Sequence, residues 1–523
     1  MQRLAEDAQQ AIGRRDFPRA AALLGQLVGQ SPRDHGAWYW LAFVHVRMGQ
    51  PELALPAIQT AVALDKRNPE YHNLAGVALA EAADYPASME SLRKALKLKP
   101  FLTNAHFNLG KVLQTLRRFD EALEAYGRAR KLEPQRTDVW QNLGLTFWQA
   151  GCVEEAHREF LAFAAAHPAN PDAARNLATT SLAVEGASKA DQIYQAAIAQ
   201  HPADRALRWD YARFLLARGE FAKGWMEYLW RPGRDPRRWP PAGTAFTALT
   251  PAALPPRVSF EQEQGIGDLL FFARFLHSLR REGVRVAVHC DAKVVELMRG
   301  LGLADSVTAS GELPGTGADP VFAIDDLASL IRSEAVAPSA RLTVDPARVA
   351  GWRARFAQAG PPPYLAATWR AGTDIRQIPE FARPGVYPYK EVGVAELLQA
   401  FAGIPGTLVV VQRAPAGPEL AALAADRPVL DLSSLNEDLP AMSEALSAVD
   451  EYVGVPNTNV HLMAAVGGTA RVLVPYPAEW RWLLEGAESP WFPGFRTYRQ
   501  TMQRKWLPAL EQLRRDLQER WSK

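Results

Sequence analysis

Small residues return every 34 positions through the first half of the chain, in two series held in step: Ala20, Ala54, Ser88, Ala122, Ala156, Ala190 and Gly224, and Ala8, Ala42, Gly76, Gly110, Gly144, Ala178 and Ala212. Side chains this small let two antiparallel helices approach closely, and stacked helical pairs bury what no single pair can. Proline keeps the same register at Pro32, Pro100, Pro134, Pro168 and Pro202, where it ends the second helix of each unit. About seven units fill residues 1–230. Residues 231–256 have no period; rich in Pro and Arg, they read as a linker or packed connector whose basic run is either a solvated face or a phosphate site.

From Arg257 the pattern changes to short β-prone runs alternating with helical stretches. The opening unit, Arg257–Leu276, passes from Val258, Ser259 and Phe260 through the turn Gly265-Ile266-Gly267-Asp268 into apolar positions at Leu269, Leu270, Phe272, Phe275 and Leu276. That is a strand, a tight loop and a helix. The glycines permit backbone angles or approaches that a Cβ would block, and Asp268 sits where a helix begins and a carboxylate is favoured. Further strands are expected at Val284–Cys290, Pro320–Ile324, Leu365–Trp369, Thr407–Gln412, Val429–Leu432, Tyr452–Val455 and Arg471–Val474. Helices are expected near Val294–Leu301, Leu327–Ser333, Val394–Phe401, Pro418–Ala425, Ala441–Ala448 and Val460–Val466. Alternation of this kind, broken at Pro361–Pro363, predicts two Rossmann-like domains facing one cleft. The expected divisions are 1–230, 231–256, 257–360 and 361–500, then 501–523, whose helix Leu507–Trp521 folds back across both halves. The aromatic segment from Glu479 to Pro493 reads as core between the domains, with Arg481 in reach of the cleft.

A chain of 523 residues is too long for one core. Its 48% hydrophobic and 22% charged residues are those of an ordinary globular protein, and a net charge of +2 argues against nucleic-acid or membrane-surface binding by bulk electrostatics. Cys152 and Cys290 fit a reducing compartment and lack metal-site spacing. No apolar run approaches the roughly 18 residues of a membrane span, and the amphipathic start resembles no signal peptide, so a cytoplasmic protein is expected.

The 34-residue units resemble the tetratricopeptide repeat, with matches at Trp140-Gln141-Asn142-Leu143-Gly144 and Asn108-Leu109-Gly110. Such an array presents its first helices to a groove. There Asn108, Asn142 and Asn176 recur at the period, with Asp210 in the next slot. An amide can bond both N–H and C=O of an extended peptide, so the ladder either holds a protein acceptor or bonds within its own array. Gln264, beside the glycine turn, is placed with the acceptor.

Two further stretches carry a second resemblance. Lys390 after Tyr389, a helix, and the run Ile404–Glu419 resemble the donor half of protein O-GlcNAc transferases, which also carry tetratricopeptide repeats before a two-domain GT-B glycosyltransferase. The Gly265–Asp268 turn and Asn457–Gly467 are more similar to heptosyltransferase-type GT-B enzymes, with Pro456-Asn457 standing where those have Asp-Thr. The resemblance implies a tetratricopeptide solenoid followed by a GT-B unit that transfers sugar from a nucleotide-sugar to an acceptor. It implies that Lys390 meets the donor diphosphate, that His461 faces nucleotide or phosphate with Asn457 and Thr458, and that Asp268 is the acceptor-side base. A departing diphosphate needs positive charge and backbone donors; Lys390, Arg370 and the helix begun by Thr458 supply both, the alternative being that Thr458 only caps that helix and His461 is core. No bound metal is needed. The alternatives are a binding scaffold with an inactive transferase domain, and transfer to a glycan or lipid-linked acceptor.

Overall fold

Each 34-residue period is a helical hairpin. In order these are α1 (Gln2–Gly13) with α2 (Phe17–Gln30), α3 (His35–Arg47) with α4 (Pro51–Leu64), α5 (Pro69–Glu81) with α6 (Tyr85–Leu98), α7 (Thr103–Thr115) with α8 (Phe119–Leu132), α9 (Thr137–Gln149) with α10 (Val153–Ala166), α11 (Pro171–Val184) with α12 (Ala187–Gln200), and α13 (Arg205–Ala217) with α14 (Phe221–Tyr228). The small positions are buried where hairpin helices touch. A Cβ added at Gly76, Gly110 or Gly144 would lie 2.5, 2.7 or 2.5 Å from Leu92, Tyr126 or Phe160 on the following helix. A second periodic device ties down the helix starts. Trp38, His72, His106, Trp140 and Arg208 share one repeat position, and each donates a ring or guanidinium N–H to the carbonyl six residues earlier, at 2.5–2.9 Å. Three residue types serve because the slot needs only an N–H donor on a long side chain.

The computed structural model describes residues 2–234, 257–310, 321–331, 333, 335–371 and 390–521. The chain forms two compact units, Met1–Ala190 and Asp191–Lys523. The seventh hairpin therefore belongs with the α/β region, although the repeat pattern ends near 230. Trp225 of α14 is fully buried against Phe272, Phe275, Trp480 and Trp491, its ring centroid 5.3–6.0 Å from theirs. Arg231 and Arg234, expected in a linker, are buried in ion pairs. They form neither a solvated face nor an open phosphate site; the rest of the expected linker, 235–256, lies outside the described residues.

The second unit holds two sheets. The first runs β1 (Arg257–Glu261), α15 (Ile266–Ala273), α16 (Leu276–Arg281), β2 (Arg285–Cys290), α17 (Val295–Gly300), β3 (Ser306–Ala309), β4 (Val321–Ala323) and α18 (Leu327–Leu330). Its strands are parallel in the order β3-β2-β1-β4. After α19 (Pro346–Ala359) come β5 (Tyr364–Thr368), α20 (Val394–Phe401), β6 (Thr407–Val410), α21 (Gly417–Ala424), β7 (Val429–Asp431), α22 (Leu439–Ser447), β8 (Glu451–Gly454), α23 (Thr458–Ala465), β9 (Ala470–Val474), β10 (Glu488–Ser489), β11 (Phe492–Arg499) and α24 (Leu507–Trp521). The order is β10-β11-β9-β8-β5-β6-β7, with only β10 antiparallel to its neighbour. Strands such as Tyr364–Thr368 are buried throughout, which is why they read as continuous apolar runs.

Several elements depart from the sequence pattern. β3 is a short, partly polar edge strand, and β11 begins inside the aromatic segment read as packing and runs on to Arg499. Helix α19 falls before the expected crossing and packs on α22, with Phe356 against Tyr364 (5.3 Å) and Arg353 on Asp450 (2.8 Å). Residues from Pro346 thus belong with the second sheet rather than with a first half ending at 360. Helix α24 buries Leu510, Leu513 and Leu517 against Leu397 and Phe401 of the second half's core, so it covers that half rather than both. Among the described residues no helix is long and apolar enough to cross a membrane.

Candidate functional site

In each sheet the chain first builds outward on one side of the first strand and then crosses to its other side, and in open α/β sheets ligands bind beyond the strands' carboxyl ends at such a point. In the first sheet this point lies between β1 and β4, paired through Glu261 and Ala323. In the second it lies between β5 and β8, paired through Thr368 and Gly454. A Cβ on Gly454 would fall 2.1 Å from Thr368 Oγ1, so only glycine fits there.

The chain leaves β1 through Gln262, Glu263 and Gln264 into α15. Gly265 occupies the N-cap position, with no side-chain cap bond and φ −68°, an angle open to any residue. Gly267 is the glycine that the packing requires, since a Cβ there would lie 3.1 Å from His461 Cδ2. Helices α15 and α23 therefore touch at Gly267 and His461. Asp268 does not cap its helix; its Oδ1 accepts from Arg481 Nη2. Arg481 Nη1 donates to Glu479 Oε1, and Glu479 Oε2 accepts from Lys390 Nζ at 2.7 Å. Lys390, Glu479, Arg481 and Asp268 thus form one chain of alternating charge from the second half to the first. Burial alone pushes the Glu479 carboxyl up, but Lys390 and Arg481 outweigh it and hold the group well below the usual carboxylate range.

His461 packs edge-on to Phe492 and Phe271 (5.4 and 6.3 Å) and makes no hydrogen bond to a described residue. Burial first, and then the Arg481 charge, keep the imidazole neutral well below its ordinary value. Beneath it Arg274, 2% exposed, lies 4.2 Å from the Phe271 centroid and donates to the carbonyls of Phe271 and Trp491, each at 2.9 Å. Burial, with Arg481 adding, lowers this guanidinium to about 9.

The other expected site residues fall elsewhere. Asn457 caps α23, accepting from Val460 N–H (3.2 Å), and its amide donates to Thr368 Oγ1 (2.8 Å). Asn457 rather than Thr458 is thus the cap, and its polar atoms serve the fold. Arg370 pairs with Glu419 and donates to the Ala414 carbonyl (2.6 Å), so it stays out of the Lys390 chain. Gln264 donates to the Tyr228 hydroxyl (2.9 Å). Asn108 donates to Asn73 Oδ1 (2.9 Å), Asn142 donates to the Asp138 carbonyl (2.8 Å), and Asn176 is 2% exposed with its Nδ2 unpartnered. Asp210, in the second unit, pairs with Arg213 (2.7 Å). Of the ladder amides, Asn108 thus bonds to the preceding repeat and Asn142 within its own helix, while Asn176 is buried. Tyr389 lies outside the described residues. Sequence reasoning missed Glu479 as the partner of Lys390, and it missed Tyr228, Glu263 and the pair Asp325-Asp326. The last pair had a usable signal, since two carboxylates ended a predicted strand where an α/β sheet places its ligands.

Residues 11–77 and 107–171 match tetratricopeptide repeat families. No curated protein matches the chain. Among solved structures, the array is similar to pilF of Pseudomonas aeruginosa (20% identity, 39% of this chain and 92% of that one, TM-score 0.34). It is also similar to a tetratricopeptide repeat protein from Parabacteroides merdae (14% identity, 43% and 90%, TM-score 0.37). A third is YrrB, described as a TPR protein with an unusual peptide-binding site (24% identity, 35% and 95%, TM-score 0.30). The chain carries tetratricopeptide repeats ahead of an α/β region with parallel sheets, and such repeats imply a protein-binding scaffold.

Proposed function

We propose that the α/β region is a GT-B glycosyltransferase that moves a sugar from a nucleotide-sugar to an acceptor, a protein recruited by the repeats. The observation that carries this reading is the charge chain from Lys390, before α20, to Asp268 in the first turn of α15. Arg481 occupies Oδ1 of Asp268, and the other oxygen takes the proton of the acceptor hydroxyl. As the acceptor oxygen bonds to the sugar carbon, the bond to phosphate breaks and its electron pair leaves with the diphosphate. Lys390 and the N–H groups opening α23 meet that charge. Glu479 holds Lys390 in place until the donor competes for it, and neutral His461 donates an N–H without adding charge. A second reading, a scaffold without transfer, is favoured by Asn457, whose amide is spent on Thr368 and the helix cap.

Mass spectrometry of an acceptor incubated with nucleotide-sugars tests the proposal. Wild type should add a sugar mass, and Asp268→Asn should lose roughly 10²–10⁴ in kcat while still binding donor. A protein that binds its partner yet adds no sugar mass with any donor establishes the scaffold instead.

A further inference from the structure

Four carboxylates crowd the carboxyl ends of β1 and β4: Glu263, Asp268, Asp325 and Asp326. Three have guanidinium partners. Arg231 forks Glu263 at 3.1 and 2.7 Å, Arg231 and Arg234 hold Asp326 at 2.5 and 2.9 Å, and Arg481 holds Asp268. Asp325 is 1% exposed, and among the described residues neither of its oxygens has a hydrogen-bond partner. A buried, ionised carboxylate without a partner is costly enough that such a group takes up a proton instead. The groups facing it are Arg231 after α14, Glu263 after β1, Asp268 on α15 and Asp326 beside it, with Tyr228 at the end of α14. Of the groups acting on Asp325, Arg231 is the cation, and it is already engaged by Glu263 and Asp326, while Arg234 and Arg481 are engaged by Asp326 and Asp268.

We infer that Asp325 is the proton-holding member of this carboxyl group and a positioning residue for Asp268, its positioning role resting on the transferase reading above. While Asp325 is neutral, Arg231 stays forked on Glu263, in the loop that enters the Gly265–Asp268 turn. Ionisation sets a third carboxylate competing for Arg231, and the loop that aims Asp268 loosens. The electrostatics agree: burial pushes the Asp325 carboxyl up to about 7, Arg231 opposing and Asp268, Glu263 and Asp326 adding to the rise. Because the folded value is raised, this group's stabilisation is fully present below the ordinary value of 3.8 and is lost as pH rises through about 7.

Equilibrium stability of the full chain from about pH 4 to pH 8 tests the proton, with Asp325→Asn as the neutral mimic. Wild type should take up about one proton more than the variant on folding, so the variant gains on wild type as pH rises. Equal slopes overturn the assignment. Should the variant not fold, the infrared spectrum of wild type decides: a buried carboxylic-acid band present in mild acid and lost in mild base is expected, and its absence overturns the assignment. For the positioning role, the alkaline limb of kcat/KM should move up by about one pH unit or more in Asp325→Asn; an unmoved limb overturns it. If no donor and acceptor give transfer, the transferase reading and the positioning role fall together, while the stability and infrared results still decide the proton.

Discussion

Replacing Arg481 with Met removes the cation shared by Asp268 and Glu479 and keeps most of the side chain's bulk. Arg481 is 6% exposed, and its guanidinium carbon lies 4.3 and 4.6 Å from the Trp480 and Phe271 centroids. Each charge-assisted contact is worth about 1.5–3 kcal/mol, so losing both costs about 3–6 kcal/mol. The side chains of Asp268 and Glu479 keep 27% and 18% exposure, through which water recovers part of that. A net loss of about 3–4 kcal/mol follows, a lowering of roughly 6–8 °C at about 2 °C per kcal/mol for a unit of this size. Differential scanning calorimetry of the second unit's transition measures it. A cycle with Glu479→Gln should show a coupling of about 1 kcal/mol or more, since that change removes one of the stranded charges. The depressed Glu479 carboxyl stabilises above its ordinary value of 4.5, and this contribution is lost as pH falls through the folded value. The gap between wild type and Arg481→Met should therefore narrow in acid. A loss below about 1 kcal/mol at neutral pH, or a gap that widens in acid, would refute the network as the link between the two halves.

Glu479→Gln should loosen the hold on Lys390 and tighten nucleoside-diphosphate binding by up to about tenfold, whereas Lys390→Ala should weaken it by about tenfold or more. Titration calorimetry showing both unchanged would remove Lys390 from the donor site. In the repeats, Gly144→Ala sets a methyl 2.5 Å from the Phe160 ring. The overpacked hairpin should lose about 1–3 kcal/mol by urea denaturation, and an unaltered midpoint would show slack in the close approach.

The repeat array was legible because its information is local and periodic. Small residues at one spacing specify a helix contact within each hairpin, and the burial of Ala20, Ala54, Ala122 and Ala156 follows directly. The same holds for most strands and helices of the second unit: α20 and α24 begin and end where the apolar pattern does. Capping was less legible. Asn457, rather than Thr458, caps α23, because its oxygen reaches the Val460 N–H in an extended backbone that the sequence does not display.

The candidate site divides along the same line. The sequence by itself determined the repeat, the α/β alternation, the strand–turn–helix of Gly265–Asp268 and the helix that carries His461. Only the tertiary structure decided that Gly267 meets His461, that the seventh hairpin joins the α/β core, and that Glu479 and Arg481 tie Lys390 to Asp268 across residues remote in the chain. It also left Asp325 without a hydrogen-bond partner among the described residues. Periodic patterns report contacts within a few turns of chain, whereas the partner of a buried charge is set by which distant segments pack beside it, and no spacing in the sequence records that.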